Sequence, residues 1–124
     1  MNYIFTDVDG VLNSGADTKV YCGDVFGIEI EKVKLLKELA EKTDSGVVLS
    51  STWRLGAVTG DIYWNHLLDR FSEAGLEISG CTPIRHWSER AYEILSWLDG
   101  KDAAHIVILD DENFHWKERS ASAR

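Results

Sequence analysis

The sequence predicts an α/β domain, a mainly parallel sheet held between layers of helices. Three short apolar runs, Tyr3–Phe5, Val47–Leu49 and Ile106–Leu109, read as strands. Amphipathic helical segments alternate with them, the pattern of a parallel sheet with right-handed crossovers. Each run ends in acids or hydroxyls, and the carboxyl ends of strands are where open α/β sheets bind ligands.

The 124 residues suit a single domain over 1–124. A chain of this length buries roughly two-thirds of its surface, enough for a real core. A net charge of −8 argues against broad electrostatic binding to nucleic acid or anionic membrane, and leaves room only for a small basic pocket. Cys22 and Cys81 lie far apart with no CxxC spacing. They read as thiols in a reducing compartment, with a single bridge as the alternative. No apolar run is long enough to span a membrane and no signal-peptide core precedes the first strand, so a cytoplasmic location is expected.

The first strand runs into Thr6-Asp7-Val8-Asp9-Gly10. Carboxylates at i and i+2 of a strand point to the same side. Gly10 then permits a tight turn or the close approach of a ligand. Two neighbouring anions repel, more so when buried, and need a cation or a shared proton. Mg²⁺ suits such oxygen ligands and usually retains waters and a substrate phosphate. A calcium loop starting at Asp7 would place its closing Glu where Thr18 stands, so that reading fails.

Residues 13–27, punctuated by Gly15, Gly23 and Gly27, read as a flap-like loop, with Val20-Tyr21-Cys22 as one arm of a hairpin. Glu29–Thr43 is an amphipathic helix with Val33, Leu36, Leu39 and Ala40 on one face and a Glu38–Lys42 pair on another. Asp44-Ser45-Gly46 makes the turn into Val47–Leu49, a strand covered on both faces. It ends in Ser50-Ser51-Thr52-Trp53-Arg54, hydroxyls placed where a ligand would bind.

Asp61–Ala74 is a second helix, with Trp64, Leu67, Leu68 and Phe71 facing the core. His66 beside that face reads as a packed or solvent-edge residue, not a ligand. Gly75 stops the helix, Leu76–Thr82 is a weaker strand, and Pro83 breaks the chain. The third helix, Ser88–Leu98, has Ser88 as its N-cap and Ala91, Ile94, Leu95 and Leu98 as its buried stripe. Arg90 lies in its first turn, off that stripe. The helix dipole disfavours a cation there, so Arg90 gains by facing an anion. Ile106–Leu109 ends in Asp110-Asp111-Glu112, acids costly to bury without a counter-charge and relieved by a metal. The tail, 113–124, is small and polar toward its end and reads as frayed.

Four of these stretches, in this order, resemble the motifs of the haloacid dehalogenase (HAD) superfamily. Asp7-Val8-Asp9-Gly10-Val11-Leu12 resembles its first motif, and the strand ending in Ser50 its second. Arg90–Leu98 resembles the third, and the strand ending in Asp110-Asp111 the fourth. The string Ser-Ser-Thr-Trp-Arg looks like a narrower HAD group related to domains in RNA-repair proteins. The resemblance implies a Rossmann-like α/β/α fold with strand order 3-2-1-4 and no large cap, in which the ends of three strands converge. It implies a Mg²⁺-dependent phosphatase in which Asp7 forms an aspartyl-phosphate and Asp9 is the general acid and base. Ser50, with Ser51 as second choice, and Arg90 would hold the phosphoryl group, while Arg85 and Arg54 compete with Arg90 for that role. Asp7, Asp9 through its carbonyl, Asp110 and Asp111 would hold the metal. Trp53 and Arg54 are candidate substrate contacts. The chain departs from many HAD domains in lacking a fifth strand after the fourth motif, being either minimal or shortened.

The substrate expected is a phosphorylated small molecule or a terminal nucleotide. Two other readings stand beside this one: a non-catalytic phospho-binding module, and an end-healing phosphatase acting on nucleic-acid termini. An intact Asp9 favours catalysis over binding alone. The sequence does not set the oligomeric state.

Overall fold

The computed structural model describes residues 1–13, 20–22, 25–51, 60, 62–83 and 90–110, with backbone alone for 20–22 and 25–26. In chain order the elements are β1 (Asn2–Thr6), β2 (Val20–Cys22), β3 (Val25–Phe26), α1 (Ile30–Thr43), β4 (Ser45–Leu49), α2 (Ile62–Ala74), β5 (Gly80–Cys81), α3 (Arg90–Leu98) and β6 (His105–Leu109). Four strands form one parallel sheet in the order β5-β4-β1-β6, the predicted arrangement once the hairpin strands are set aside. β2 and β3 pair antiparallel, so Val20-Tyr21-Cys22 is one arm of a hairpin within the 13–27 stretch.

This order dictates the layers. The chain steps outward from β1 to β4 to β5, then returns across the sheet to β6. Right-handed crossovers therefore put α1 and α2 on one face and α3 on the other. Packing agrees. Ile4, Val47 and Leu49 of the sheet cluster with Val33, Leu36 and Ala40 of α1 and with Leu67, Phe71 and Ala74 of α2. Phe5 and Val48, one residue out of phase, meet Ile94, Trp97 and Leu98 of α3. Trp97 stands edge-on to Tyr3 and Phe5, with ring centroids 4.9 and 5.6 Å away. Gly80 makes room for it, because a Cβ there would lie 3.1 Å from the indole.

Helix ends follow local chemistry. α1 carries the predicted Lys42–Glu38 pair at 2.7 Å, an exposed contact worth about 0.3–0.5 kcal/mol. It ends on Asp44, which turns into the left-handed region and donates its N–H to the Ala40 and Glu41 carbonyls. The strand then begins at Ser45, so the predicted turn is shorter than expected and β4 longer.

Several expectations are corrected. Leu39 and Leu68 are exposed, at 36% and 41%, although both belong to the apolar arcs of their helices. An amphipathic arc is wider than the strip that touches the sheet, so residues on its flank stay in solvent. His66 and Ala74 take buried positions on α2 instead, while Trp64 is half-buried. On α3, Ala91, Glu93 and Ile94 are buried, whereas Leu95 and Leu98 are only partly so. The weak strand predicted over Leu76–Thr82 is reduced to Gly80–Cys81. β6 is less enclosed than its apolar sequence implies: Val107, on the α1 side, is 43% exposed because neither α1 nor α2 reaches that edge. Cys81 holds a thiol, not a disulfide. No helix among the described residues is long and apolar enough to cross a membrane.

Candidate active site

The pleat of the sheet assembles the site. The β1–β4 and β1–β6 registers end at Thr6↔Leu49 and Thr6↔Leu109. Backbone bonds carry them one step further: Ser50 N–H donates to the Thr6 carbonyl at 3.0 Å, and Asp7 N–H to the Leu109 carbonyl at 2.9 Å. Ser50, Asp7 and Asp110 therefore lie side by side on three adjacent strands. They continue the parity of Val48, Phe5 and Ile108, the residues of the α3 face.

α3 begins at Arg90, above these strand ends. One Arg90 guanidinium nitrogen lies 3.1 Å from Asp7 Oδ2 and 2.7 Å from Asp110 Oδ2. The cation misplaced at a helix N-terminus thus gains two carboxylates, as expected from the dipole. Asp7 is buried. Its Oδ1 accepts the Val8 N–H at 2.8 Å, and its carboxylate also receives the Ser51 hydroxyl. Burial nevertheless wins: it raises the Asp7 pKa above the ordinary carboxylate value, against the Val8 bond and the Arg90 charge. Burial also works against the Arg90 charge, but the hydrogen bond to Asp110 and the pull of both carboxylates hold its pKa above the usual value.

The two serines differ. Ser51 is committed to Asp7. The Ser50 hydroxyl is fully buried and, among the described residues, has no hydrogen-bond partner. An orphaned buried hydroxyl costs about 1–3 kcal/mol and marks a place where a ligand oxygen would be welcome.

Asp9 lies beyond the strand on a tight turn. Gly10 takes φ +82°, a conformation glycine adopts without strain. The turn brings Asn13 back beside Asp9 in a parallel bridge. Asn13 is buried, its Oδ1 accepts the Gly10 N–H at 3.1 Å, and its Nδ2 donates to Asp9 Oδ1 at 3.0 Å. Asp9 itself is exposed.

Of the predicted site, Asp7, Ser50, Ser51, Arg90 and Asp110 are thus brought together, with Asp9 adjoining through the turn. Among the described residues no three His, Cys, Asp or Glu side chains gather as a metal cage. Asp111, Trp53, Arg54 and Arg85 lie outside the described residues, as do the Ser88 cap and the 113–124 tail. His66 is no ligand in this arrangement: it is buried and its Nε2 accepts the Ile28 N–H at 3.0 Å. Asn13 was not singled out from the sequence. Its signal was an Asn closing a Gly-containing turn, where Asx side chains commonly bond nearby backbone N–H groups.

The family described as "HAD domain in Swiss Army Knife RNA repair proteins" matches residues 3–124. The chain belongs to that family. No curated protein and no solved structure matches it. As a HAD domain it has the parallel α/β sheet expected of the superfamily, with its motif residues at the carboxyl ends of β1, β4 and β6. Membership supports a phosphoryl hydrolase or a related role, in a superfamily whose members commonly use Mg²⁺.

Proposed function

We propose that this HAD domain is a phosphatase that passes the phosphoryl group through Asp7. One observation carries the reading: buried Asp7 is held by Arg90 beside the unpartnered hydroxyl of Ser50. A carboxylate oxygen of Asp7 attacks phosphorus in line, and its new bond forms as the bond to the leaving oxygen breaks. The electron pair goes to the leaving oxygen, which takes a proton from Asp9. Asp9 then removes a proton from the water that attacks the aspartyl-phosphate, releasing phosphate and restoring Asp7. Ser50 and Arg90 hold the phosphoryl oxygens during both steps.

The charge balance favours a cation. Two carboxylates share one guanidinium, leaving a net negative site before an anionic substrate arrives. The oxygen donors present fit a hard divalent ion. Asp7, Asp110 and the Asp9 carbonyl, with Asp111 in support, would hold Mg²⁺, which would neutralise the phosphoryl oxygens and favour the ionised Asp7.

The family's occurrence in RNA-repair proteins supports a phosphate at a nucleic-acid terminus as the substrate class. In that case Trp53 would stack on the terminal base and Arg54 would pair with phosphate. A net charge of −8 limits such contacts to the pocket. The test compares an aryl phosphate, a mononucleotide and a longer single strand, with Mg²⁺, with Ca²⁺ and with EDTA, across a salt series. EDTA is expected to abolish turnover, and Ca²⁺ to replace Mg²⁺ poorly because its looser coordination misaligns in-line attack. One or two phosphate contacts give a salt slope no steeper than about −1.5. Full activity in EDTA contradicts the metal. A strong preference for the long strand with a steep slope contradicts recognition of the terminus alone. Phosphate binding without any turnover leaves a phospho-binding module.

A further inference from the structure

We infer that Asn13 is a positioning residue for Asp9, fixing which oxygen of its carboxyl group carries the proton given to the leaving group. The inference rests on the phosphatase reading and adds a residue to it. The hydrogen bonds around Asn13 determine its orientation. The Gly10 N–H can only donate, so the Asn13 atom that faces it at 3.1 Å is the carbonyl oxygen. The amide NH₂ therefore faces Asp9, at 3.0 Å from Oδ1. An NH₂ also can only donate, so Asp9 Oδ1 accepts. In a protonated carboxyl the better acceptor is the carbonyl oxygen, so the proton is directed to Oδ2.

The support beneath this pair is buried and hydrogen-bonded. Asn13 is 2% exposed, and so is its neighbour Leu12, which packs in the larger core cluster. Leu12 N–H donates to the Val8 carbonyl at 2.7 Å, closing the turn from below. Glu29 N–H, at the start of α1, donates to the Leu12 carbonyl at 2.9 Å and ties the turn to the helix. Asp9, by contrast, is solvent-exposed. A mobile acid would sample many orientations, and a buried amide that holds one oxygen restricts it to the productive one. Such support is what keeps reacting groups within the small tolerance that catalysis allows.

The chemistry predicts where the effect appears. As the phosphorus–oxygen bond breaks, the leaving oxygen needs a proton in proportion to its basicity. A nitrophenolate departs without one, whereas an alkoxide or a sugar oxygen does not. Loss of Asn13 should therefore harm alkyl phosphates more than nitrophenyl phosphate.

The test uses the full chain with Mg²⁺, a series of phosphate monoesters of rising leaving-group basicity, and the variants Asn13→Asp and Asn13→Ala. Asn13→Asp is isosteric and keeps the acceptor for the Gly10 N–H, but it replaces the donor to Asp9 with a second carboxylate oxygen. Asn13→Ala removes both bonds. Thermal unfolding confirms that each variant is folded, and Asn13→Asp serves if Asn13→Ala is not. The expected result is a fall of about 10–100-fold in kcat/KM for alkyl phosphates, a fraction of the roughly 10²–10⁴-fold that a general acid contributes. The loss on nitrophenyl phosphate should be several-fold at most, so the dependence on leaving-group basicity steepens. Two outcomes overturn the inference while leaving the phosphatase reading intact: Asn13→Asp behaving as wild type, which reduces Asn13 to closing the turn, or equal losses on every ester. A folded wild type with no turnover on any ester overturns the phosphatase reading, and this inference with it.

Discussion

On the α1/α2 side of the sheet, Ile4, Val47 and Leu49 lie beneath Val33, Leu36, Leu67 and Phe71, and the packing draws on two helices. On the α3 side the apolar cluster among the described residues is smaller, Phe5, Val48 and Ile94, with Tyr3, Trp97 and Leu98 at its margin. The catalytic candidates belong to the second, thinner side. Asp7 continues the parity of Phe5, Ser50 that of Val48 and Asp110 that of Ile108, and Arg90 comes from the helix that covers them. The two sides divide the labour. Among the described residues one side holds the larger apolar cluster, while the other couples a small core to the geometry of the site. Disturbing the first should cost stability alone, and disturbing the second should cost both.

The largest expected effect is on activity. Asp7→Asn removes the proposed nucleophile and should bring turnover to background. It should also raise the Tm of the metal-free protein near neutral pH. Burial holds the Asp7 pKa above its ordinary 3.8, so the folded state binds this proton more tightly than the unfolded chain. The stability it contributes is present below about pH 3.8 and is lost as pH rises through the raised folded value. At neutral pH the ionised group is a liability, which Asn relieves. A large drop in Tm would show that Asp7 is needed for the fold itself.

A pair of core substitutions tests the two sides directly. Phe71, on α2, is buried against α1 and the sheet. Phe71→Ala should cost about 3–5 kcal/mol of stability and leave kcat/KM unchanged in protein that is still folded. Trp97→Leu on the other side should cost less, about 1–3 kcal/mol, because Trp97 is only partly buried. It should nevertheless lower kcat/KM by about tenfold, since it shifts the helix that brings Arg90 to Asp7. Equal effects of the two on activity would erase the distinction between the sides.

The smallest effect belongs to His66, on the thicker side. Burial, with a contribution from Arg70 and against Asp69, holds its pKa below the ordinary 6.5. The unfolded chain therefore takes up the proton more readily. The stability from neutral His66 is present above about pH 6.5 and is lost as pH falls through that value toward the lowered folded one. Protonation also removes the acceptor for the Ile28 N–H, a bond worth about 0.5–1.5 kcal/mol. Thermal melts against pH should show this loss in wild type, and His66→Gln should flatten it.

Much of this architecture was legible because it rests on alternation. Apolar runs alternating with helical arcs gave the parallel α/β sheet, and the resemblance to the HAD motifs gave its strand order β5-β4-β1-β6, with Asp7, Ser50 and Asp110 converging at three strand ends. Arg90 was legible from the cost of placing a cation at a helix start. Periodicity reports which arc of a helix is apolar, but not which part of that arc has a partner, so Leu39 and Leu68 were misplaced. It could not show that β6 lies at an edge that α1 and α2 leave open, with Val107 in solvent. Bonds between distant residues, such as Ile28 to His66, leave no local pattern at all. Nor could spacing separate Ser50 from Ser51. Only the placed side chains show that one is bound to Asp7 and that the other has no partner among the described residues.

The proposed mechanism places the transferred phosphoryl group on Asp7. Its most direct test is acid quenching of the protein during turnover of a labelled phosphoester with Mg²⁺, followed by peptide mapping. Label is expected on the peptide containing Asp7, sensitive to hydroxylamine as an acyl phosphate must be, and none in Asp7→Asn. Steady turnover with no label at Asp7, together with wild-type rates in Asp7→Asn, would contradict it.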